Sequence, residues 1–345
     1  MKALGIESTA HTFGIGVADS LSGKVEANER ISYKPKEGII PVECAKFLKE
    51  NASKVLEAAE EKYDLGKIDL IGVSSGPGLP PSLSVGLEFA KELSKKLDKP
   101  LFGVNHCRAH IDVGAFLTGA KDPVILYVSG GNTQVLYDNN GYRVLGETQD
   151  IGLGNAIDKL GRSMGLKFPA GPKIEDLAKK GKFILLPYSV KGMDMNFSGI
   201  LSDASRRLEK ATPTVSEMRG QAPTGMNSRG QEKEDKEDKE QMMADISYSF
   251  QEITFSMLTE VTERAMAAMN KKELLLVGGV AQNTRLQKML GVMCVERGAK
   301  LFVVPKEFAG DNGAMIAVSA LLNYEKNLLL KEPFDIRPNW RLDQV

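Results

Sequence analysis

Apolar and polar positions along the chain alternate between two periods, one of short strands and one of amphipathic helices. Residues 3–7 and 13–18 read as strands joined by Ser8-Thr9-Ala10-His11-Thr12, and a third strand at 25–33 follows the Ser22-Gly23 turn. Ala45, Leu48, Ala52, Val55 and Ala59 recur at three- and four-residue steps, which predicts a helix over 41–62. A continuous apolar strand at 68–73, a helix at 82–97 and a strand at 101–104 follow. Asn105 stands where it would cap a helix opening at His106.

Near residue 122 the pattern begins again. Strand 124–128 (VILYV), the loop Ser129-Gly130-Gly131-Asn132-Thr133, strand 134–138, the turn Asn140-Gly141 and strand 142–149 repeat the order of the N-terminus. Ser8 falls on Ser129 and Thr12 on Thr133, both 121 residues later, so an internal duplication is expected. Two such hairpin tips facing one another across a cleft would offer backbone N–H groups and hydroxyls to phosphate oxygens. Helices near 154–166 and 172–180, an irregular stretch at 182–200 and a basic helix through Arg206-Arg207 come next. Residues 211–240 carry Pro213, Pro223, three glycines and the run EKEDKEDKE with almost no large apolar residue, so a disordered or tethering insert is expected there. A long helix at 242–269, strand 274–277, helix 281–296, strand 300–304 and helix 311–325 complete the pattern.

Composition narrows this α/β chain only by exclusion. Forty-five basic side chains balance forty-five acidic ones, which rules out holding nucleic acid by bulk charge but not by a local patch. Outside 232–240 the balance is 42 to 39. Three widely spaced cysteines (Cys44, Cys107, Cys294) make neither a disulfide framework nor a zinc knuckle, as expected of a reducing compartment. No apolar run approaches the roughly 18 to 20 residues of a membrane span, and Glu7 interrupts any signal-like core.

Only three histidines occur, and two of them, His106 and His110, are four residues apart near a helix start. That spacing stacks both imidazoles on one face, within reach of one metal ion; the plainer reading is two partly buried histidines satisfied by carbonyls. No glutamate follows the first histidine, so HExxH peptidase chemistry is disfavoured. Asp311, at the start of a helix, is a candidate oxygen donor or simply its cap. Tyr127 reads first as a core residue. The strand ending in Gly278-Gly279 before a helix allows close approach of a ring or phosphate, or marks an ordinary turn, with Asn283 one turn into that helix. Asp158 and Glu175 suit ribose hydroxyls or a solvated helix face.

Together GIESTAHTFGIGV, NHCRAH, YVSGGNTQV, GNAIDKLGR, GGVAQN and AGDNGAMIA resemble the tRNA threonylcarbamoyltransferase family, specifically its archaeal and eukaryotic type, the catalytic subunit of the KEOPS complex. The resemblance covers nearly the whole chain outside 211–240. It implies a duplicated actin/hexokinase-like (ASKHA) fold, with an N-terminal lobe at 1–121, a C-terminal lobe at 122–325 and a tail at 326–345. It implies one divalent metal ion, iron or zinc, on His106, His110, Tyr127 and Asp311. An adenylate would be held by Tyr127, Val128, Ser129, Gly130, Gly131, Asn132, Asp158, Gly171, Glu175, Gly278, Gly279 and Asn283, with Ser8, Thr9 and Thr12 as a phosphate loop. The implied reaction is carbamoyl transfer from threonylcarbamoyl-AMP to an adenosine beside the tRNA anticodon. The implied partners are tRNA, a small atypical kinase subunit (fused in some archaeal relatives) and other KEOPS subunits, in the cytoplasm. Three features depart from the family pattern: Ser8 in place of glycine, the proline-rich Gly78-Leu-Pro-Pro81, and the 211–240 insert. Arg206, Arg207, Lys210, Lys179 and Lys180 are candidate tRNA contacts. The same superfold hosts small-molecule kinases and ATP-binding platforms, which are the rival functions.

Overall fold

The computed structural model describes residues 1–34, 40–210, 228–324 and 326–344. Strands Lys2–Glu7 (β1), Thr12–Asp19 (β2) and Lys24–Ser32 (β3) form an antiparallel meander. Leu70–Gly76 (β4) pairs parallel with β1, and Leu101–Asn105 (β5) parallel with β4. Residues 122 onward repeat the plan. Val124–Val128 (β6), Thr133–Asp138 (β7) and Tyr142–Glu147 (β8) are a second meander. After the two-residue strands Val190–Lys191 (β9) and Asp194–Met195 (β10), Glu273–Val277 (β11) pairs parallel with β6, and Lys300–Val303 (β12) with β11. The sheets therefore run β3-β2-β1-β4-β5 and β8-β7-β6-β11-β12, the duplication the repeat predicts. The second meander turns at Asn140 (φ 53°) and Gly141 (φ 127°), the backbone that an Asn-Gly hairpin needs.

Period-two alternation decides what each face of β1 meets. Leu4 and Ile6 join Phe13, Ile15 and Val17 in a core closed by the helices Pro41–Glu60 and Pro80–Leu97. Ala3 and Gly5 point the other way, against the helix Gly313–Tyr324. That helix lies close on the strands because a Cβ at Gly5 would stand 2.2 Å from the Ala317 nitrogen, and one at Gly16 2.2 Å from that of Ala314. Each half thus sends its last helix to the other sheet. His106–Thr118 follows β5 but packs on β11, where Gly114 meets Val277, while Gly313–Tyr324 follows β12 but packs on β1 and β2. These two helices also touch each other.

This exchange crosses the expected boundary between 1–121 and 122–325. The helix Gly313–Tyr324 packs with the first sheet, and within the expected tail Leu330–Lys331 (β13) pairs with β5 and Arg341 reaches Glu147 on β8. The insert is also shorter than expected. The long helix runs Ser228–Ala268, so residues 228–240 are its first turns; Glu, Lys and Gln are good helix formers, and propagation onto an existing helix is cheap. Residues 211–227 lie outside the described residues.

Candidate functional site: a His-His-Asp cluster beside a glycine loop

The crossing helices bring their N-termini together. Asn105 Oδ1 accepts the Arg108 N–H at 3.0 Å and caps the first helix, fixing His106 and His110, both buried, on its first two turns. Ahead of the second helix, the side chain that accepts a first-turn N–H is that of Asn312, from Met315 at 3.0 Å. Asp311 is therefore not a cap, and its carboxylate turns to the histidines: Oδ1 lies 3.2 Å from His110 Nε2 and 3.6 Å from His106 Nε2. One ligand atom from each of His106, His110 and Asp311 falls within 4.8 Å of the others. Tyr127, near the end of β6, is fully buried with its ring centroid 5.5 Å from that of His110, and its hydroxyl has no hydrogen-bond partner among the described residues. An orphaned buried phenol next to two imidazoles and a carboxylate fits a cation ligand set, of the borderline kind that suits iron or zinc better than magnesium.

A residue that sequence reasoning passed over completes the cluster. Glu7 shares the face of β1 with Ala3 and Gly5 and is fully buried. Its Oε2 is 3.1 Å from His106 Nδ1, and its Oε1 accepts the Thr9 N–H at 2.8 Å. A carboxylate on Nδ1 orients the ring and leaves Nε2 for a ligand. The signal was available: a carboxylate ending an otherwise apolar strand, on the parity that faces the second lobe.

Electrostatics follow from burial and neighbours. Burial lowers the His106 pKa, but Glu7 and Asp311 outweigh it and leave the group raised to about 9. His110 is lowered, chiefly by burial. Asp311 is opposed by burial yet held well below the carboxylate range by His106 and His110. Burial raises Tyr127 well above the usual phenol range and pushes the Cys107 thiol up to about 12.

The glycine loop lies against the same helix, with Asn132 Nδ2 3.6 Å from Cys107 Sγ. The Ser129 and Gly130 carbonyls accept the N–H groups of Gly154 and Asn155 at 3.1 and 2.9 Å, so the loop is clamped from below. The exposed N–H groups of Gly130 and Gly131 find no protein acceptor among the described residues. Gly278 (φ 95°) abuts Val128, where a Cβ would be 2.3 Å from the carbonyl oxygen, and Gly279 is open. A second group gathers the remaining candidates. Asp158 Oδ1 accepts the N–H of Ala170 at 2.8 Å, just before Gly171, and its pKa is raised by burial. Glu175 Oε1 accepts the Thr284 N–H at 2.9 Å. Asn283 is the N-cap of the helix Thr284–Glu296, accepting from Arg285 and Leu286, and does not lie one turn inside it.

The first loop does not offer the hydroxyls expected of it. Ser8 is buried and donates to the Ser82 carbonyl at 2.8 Å; Thr9 bonds Glu7; Thr12 pairs with Ser32 at 3.0 Å. The helix Pro80–Leu97 presses on the loop at Gly86, 2.6 Å from Ser8 Cβ for an added Cβ, which turns the serine inward. His11, part-exposed like Ala10, lies edge-on to Phe168 at 5.6 Å.

Residues 21–318 match the family model of TsaD, tRNA N6-adenosine threonylcarbamoyltransferase. The chain belongs to that family. A tRNA N6-adenosine threonylcarbamoyltransferase of Archaeoglobus fulgidus is 49% identical over 100% of this chain and 98% of its own length. A probable bifunctional tRNA threonylcarbamoyladenosine biosynthesis protein of Methanocaldococcus jannaschii is 46% identical over 100% of this chain, which spans 60% of that protein. Among solved structures, HypF of T. kodakarensis aligns with a TM-score of 0.59 at 18% identity, over 94% of this chain and 48% of that one. The activator of 2-hydroxyisocaproyl-CoA dehydratase from Clostridium difficile aligns at 0.50 and 12%, over 95% and 97%. These last two share the fold, the duplicated actin/hexokinase-like architecture. No helix among the described residues is long and apolar enough to cross a membrane.

Proposed function

We propose that the chain transfers a threonylcarbamoyl group from threonylcarbamoyl-AMP to the exocyclic amine of the adenosine beside the anticodon of tRNA. The observation that carries this reading is the convergence of His106, His110, Asp311 and the unpartnered Tyr127 hydroxyl next to a loop with free N–H groups, within a chain of the TsaD family. The adenosine N6 attacks the carbamoyl carbon; the N–C bond forms, the C–O bond to phosphate breaks, and AMP and one proton leave. A divalent ion on His106, His110, Tyr127 and Asp311, iron or zinc, would supply Lewis-acid polarisation of the reacting oxygens. The Gly130 and Gly131 N–H groups face oxygens that gain charge, fixed in advance by the Gly154 and Asn155 contacts. Asp158 and Glu175 each keep one carboxylate oxygen without a protein partner among the described residues, which suits ribose hydroxyls. Gly279, open where Gly278 is pressed on Val128, would leave room for the adenine edge, with Gly171, Gly278 and Asn283 as its further proposed contacts. No protein nucleophile is needed: all three cysteines are buried, and burial holds Cys107 near 12 and Cys294 near 11.

A kinase of the same fold would want oxygen ligands for magnesium and a carboxylate base at the acceptor hydroxyl. The imidazole pair argues against it. The bifunctional name of the M. jannaschii relative supports a second activity acting alongside, proposed as the small kinase of a cytoplasmic KEOPS assembly. Partner subunits would supply much of the tRNA grip. Arg206 and Arg207 are already paired with Asp203, and Lys179 with Asp176, whereas Lys180 and Lys210 have no ion pair among the described residues. The test supplies the chain, with and without partners, with threonylcarbamoyl-AMP and unmodified tRNA. Mass spectrometry should find modified adenosine; adenylate binding without product under any combination favours a platform, and a phosphorylated small molecule favours a kinase.

A further inference from the structure

The helix Gly313–Tyr324, which begins two residues after Asp311, lies on a glycine-lined track of the first sheet and also touches the helix His106–Thr118 that carries the histidines. Gly5, Gly14 and Gly16 present bare backbone to the helix Gly313–Tyr324. One polar contact fixes its axial position against His106–Thr118. Asp112 Oδ2 accepts hydrogen bonds from Ser319 Oγ at 2.6 Å and Asn323 Nδ2 at 2.7 Å, one turn apart on the second helix. Arg108 Nε stands 3.6 Å from the same oxygen, and its guanidinium lies 5.3 Å over the ring of Tyr142 on β8. All of these groups but Tyr142 come from the two crossing helices, and all are buried. Among the described residues, Arg108 Nε and Asn323 Oδ1 find no hydrogen-bond partner. Two apolar side chains would hold the helices together without that desolvation cost. What a carboxylate adds is direction: it accepts from two donors at one rotation and one register.

We propose that Asp112 is a positioning residue that sets the separation of Asp311 from His106 and His110 by locking the two helices in register. Asp112 is two residues beyond His110 and six beyond His106, about 3 and 9 Å along the first helix, and Ser319 is eight residues beyond Asp311, about 12 Å along the second. Asp112 touches neither metal nor substrate. The proposal rests on the reading of His106, His110 and Asp311 as a metal site, and cobalt binding to the metal-free full-length chain separates the two.

Titration with Co²⁺, followed by its visible absorption, gives both affinity and ligand geometry. Asp112→Leu should weaken Co²⁺ by about tenfold or more, the range of outer contacts that orient ligands, and shift the absorption bands. Asp112→Asn, whose amide oxygen can accept the same two hydrogen bonds, should restore affinity to within about threefold. Ser319→Ala, which removes one donor and is the milder change should Asp112→Leu fail to fold, should fall between. Leu48→Ala, in the core on the far face of the first sheet, should destabilise the chain by cavity formation without altering Co²⁺ affinity. Wild-type affinity and spectrum in both Asp112→Leu and Ser319→Ala overturn the proposal, as does equal weakening by Leu48→Ala. A wild-type chain that binds no Co²⁺ overturns the metal reading and this proposal with it.

Discussion

A methyl group on Gly16 would sit 2.2 Å from the Ala314 nitrogen and 2.5 Å from its Cα. Both are backbone atoms, so no side chain can rotate out of the way. Opening the 2.2 Å gap to an ordinary 3.4 Å contact moves the helix Gly313–Tyr324 off the first sheet by about 1.2 Å, the difference of the two. That displacement is about a third of the 3.2 and 3.6 Å separations that place Asp311 on the imidazoles. Overpacking costs about 1–3 kcal/mol, and a backbone clash belongs at the upper end. At about 1.4 °C per kcal/mol for a chain of 345 residues, Gly16→Ala should lower Tm by roughly 3–4 °C. Zn²⁺ affinity, measured against a chromophoric chelator, should fall by about tenfold. Gly199→Ala is the control, because a Cβ there meets nothing within 4 Å. A Gly16→Ala chain that melts within about 1 °C of wild type and holds Zn²⁺ equally well would refute the claim that this crossing positions the site.

Metal uptake should depend on pH. His106, raised to about 9 from 6.5, keeps its proton in the metal-free fold; that contribution to stability is full below 6.5 and is lost as pH rises through about 9. Zn²⁺ must expel the proton, so affinity in calorimetric titrations should rise about tenfold per pH unit across that window and then level; a flat profile contradicts this. Tyr127→Phe removes a buried hydroxyl that has no partner among the described residues, so metal-free Tm should hold or rise while Zn²⁺ affinity falls about tenfold. A Tm loss with unchanged Zn²⁺ affinity would make the phenol structural. Gly291→Ala, inside the helix Thr284–Glu296 with open space around it, should stabilise the chain by about 1 kcal/mol in urea unfolding, and destabilisation would contradict the packing seen there.

Local signals in the sequence foretold local structure. The two meanders, the Asn140-Gly141 hairpin and the Asn105 cap all follow from neighbours within a few residues. The His106–His110 pair was legible for the same reason, because helix geometry alone stacks it. Partners distant in sequence were not. Glu7 finds His106 across 99 residues, and only the pairing of β1 with β4, and of β4 with β5, makes that contact. The exchanged helices follow from glycine contacts between β2 and a helix some 300 residues later, which no periodicity encodes. Asp311 and Asn312 compete for one capping position, and their side chains divide the roles only once the histidines are in place. Charge composition misled at 228–240, where a polar run lacks a core face but still extends a helix already nucleated beyond it.

Formation of modified adenosine by a His106→Ala, His110→Ala double variant tests the central claim most directly. The full-length chain, supplied with threonylcarbamoyl-AMP, unmodified tRNA and its partner subunits, should yield threonylcarbamoyladenosine on digestion and mass spectrometry. The double variant, folded by circular dichroism, should yield at least about a hundredfold less, the scale of losing the main electrostatic stabilisation. Product formed by the double variant at the wild-type rate would contradict the account.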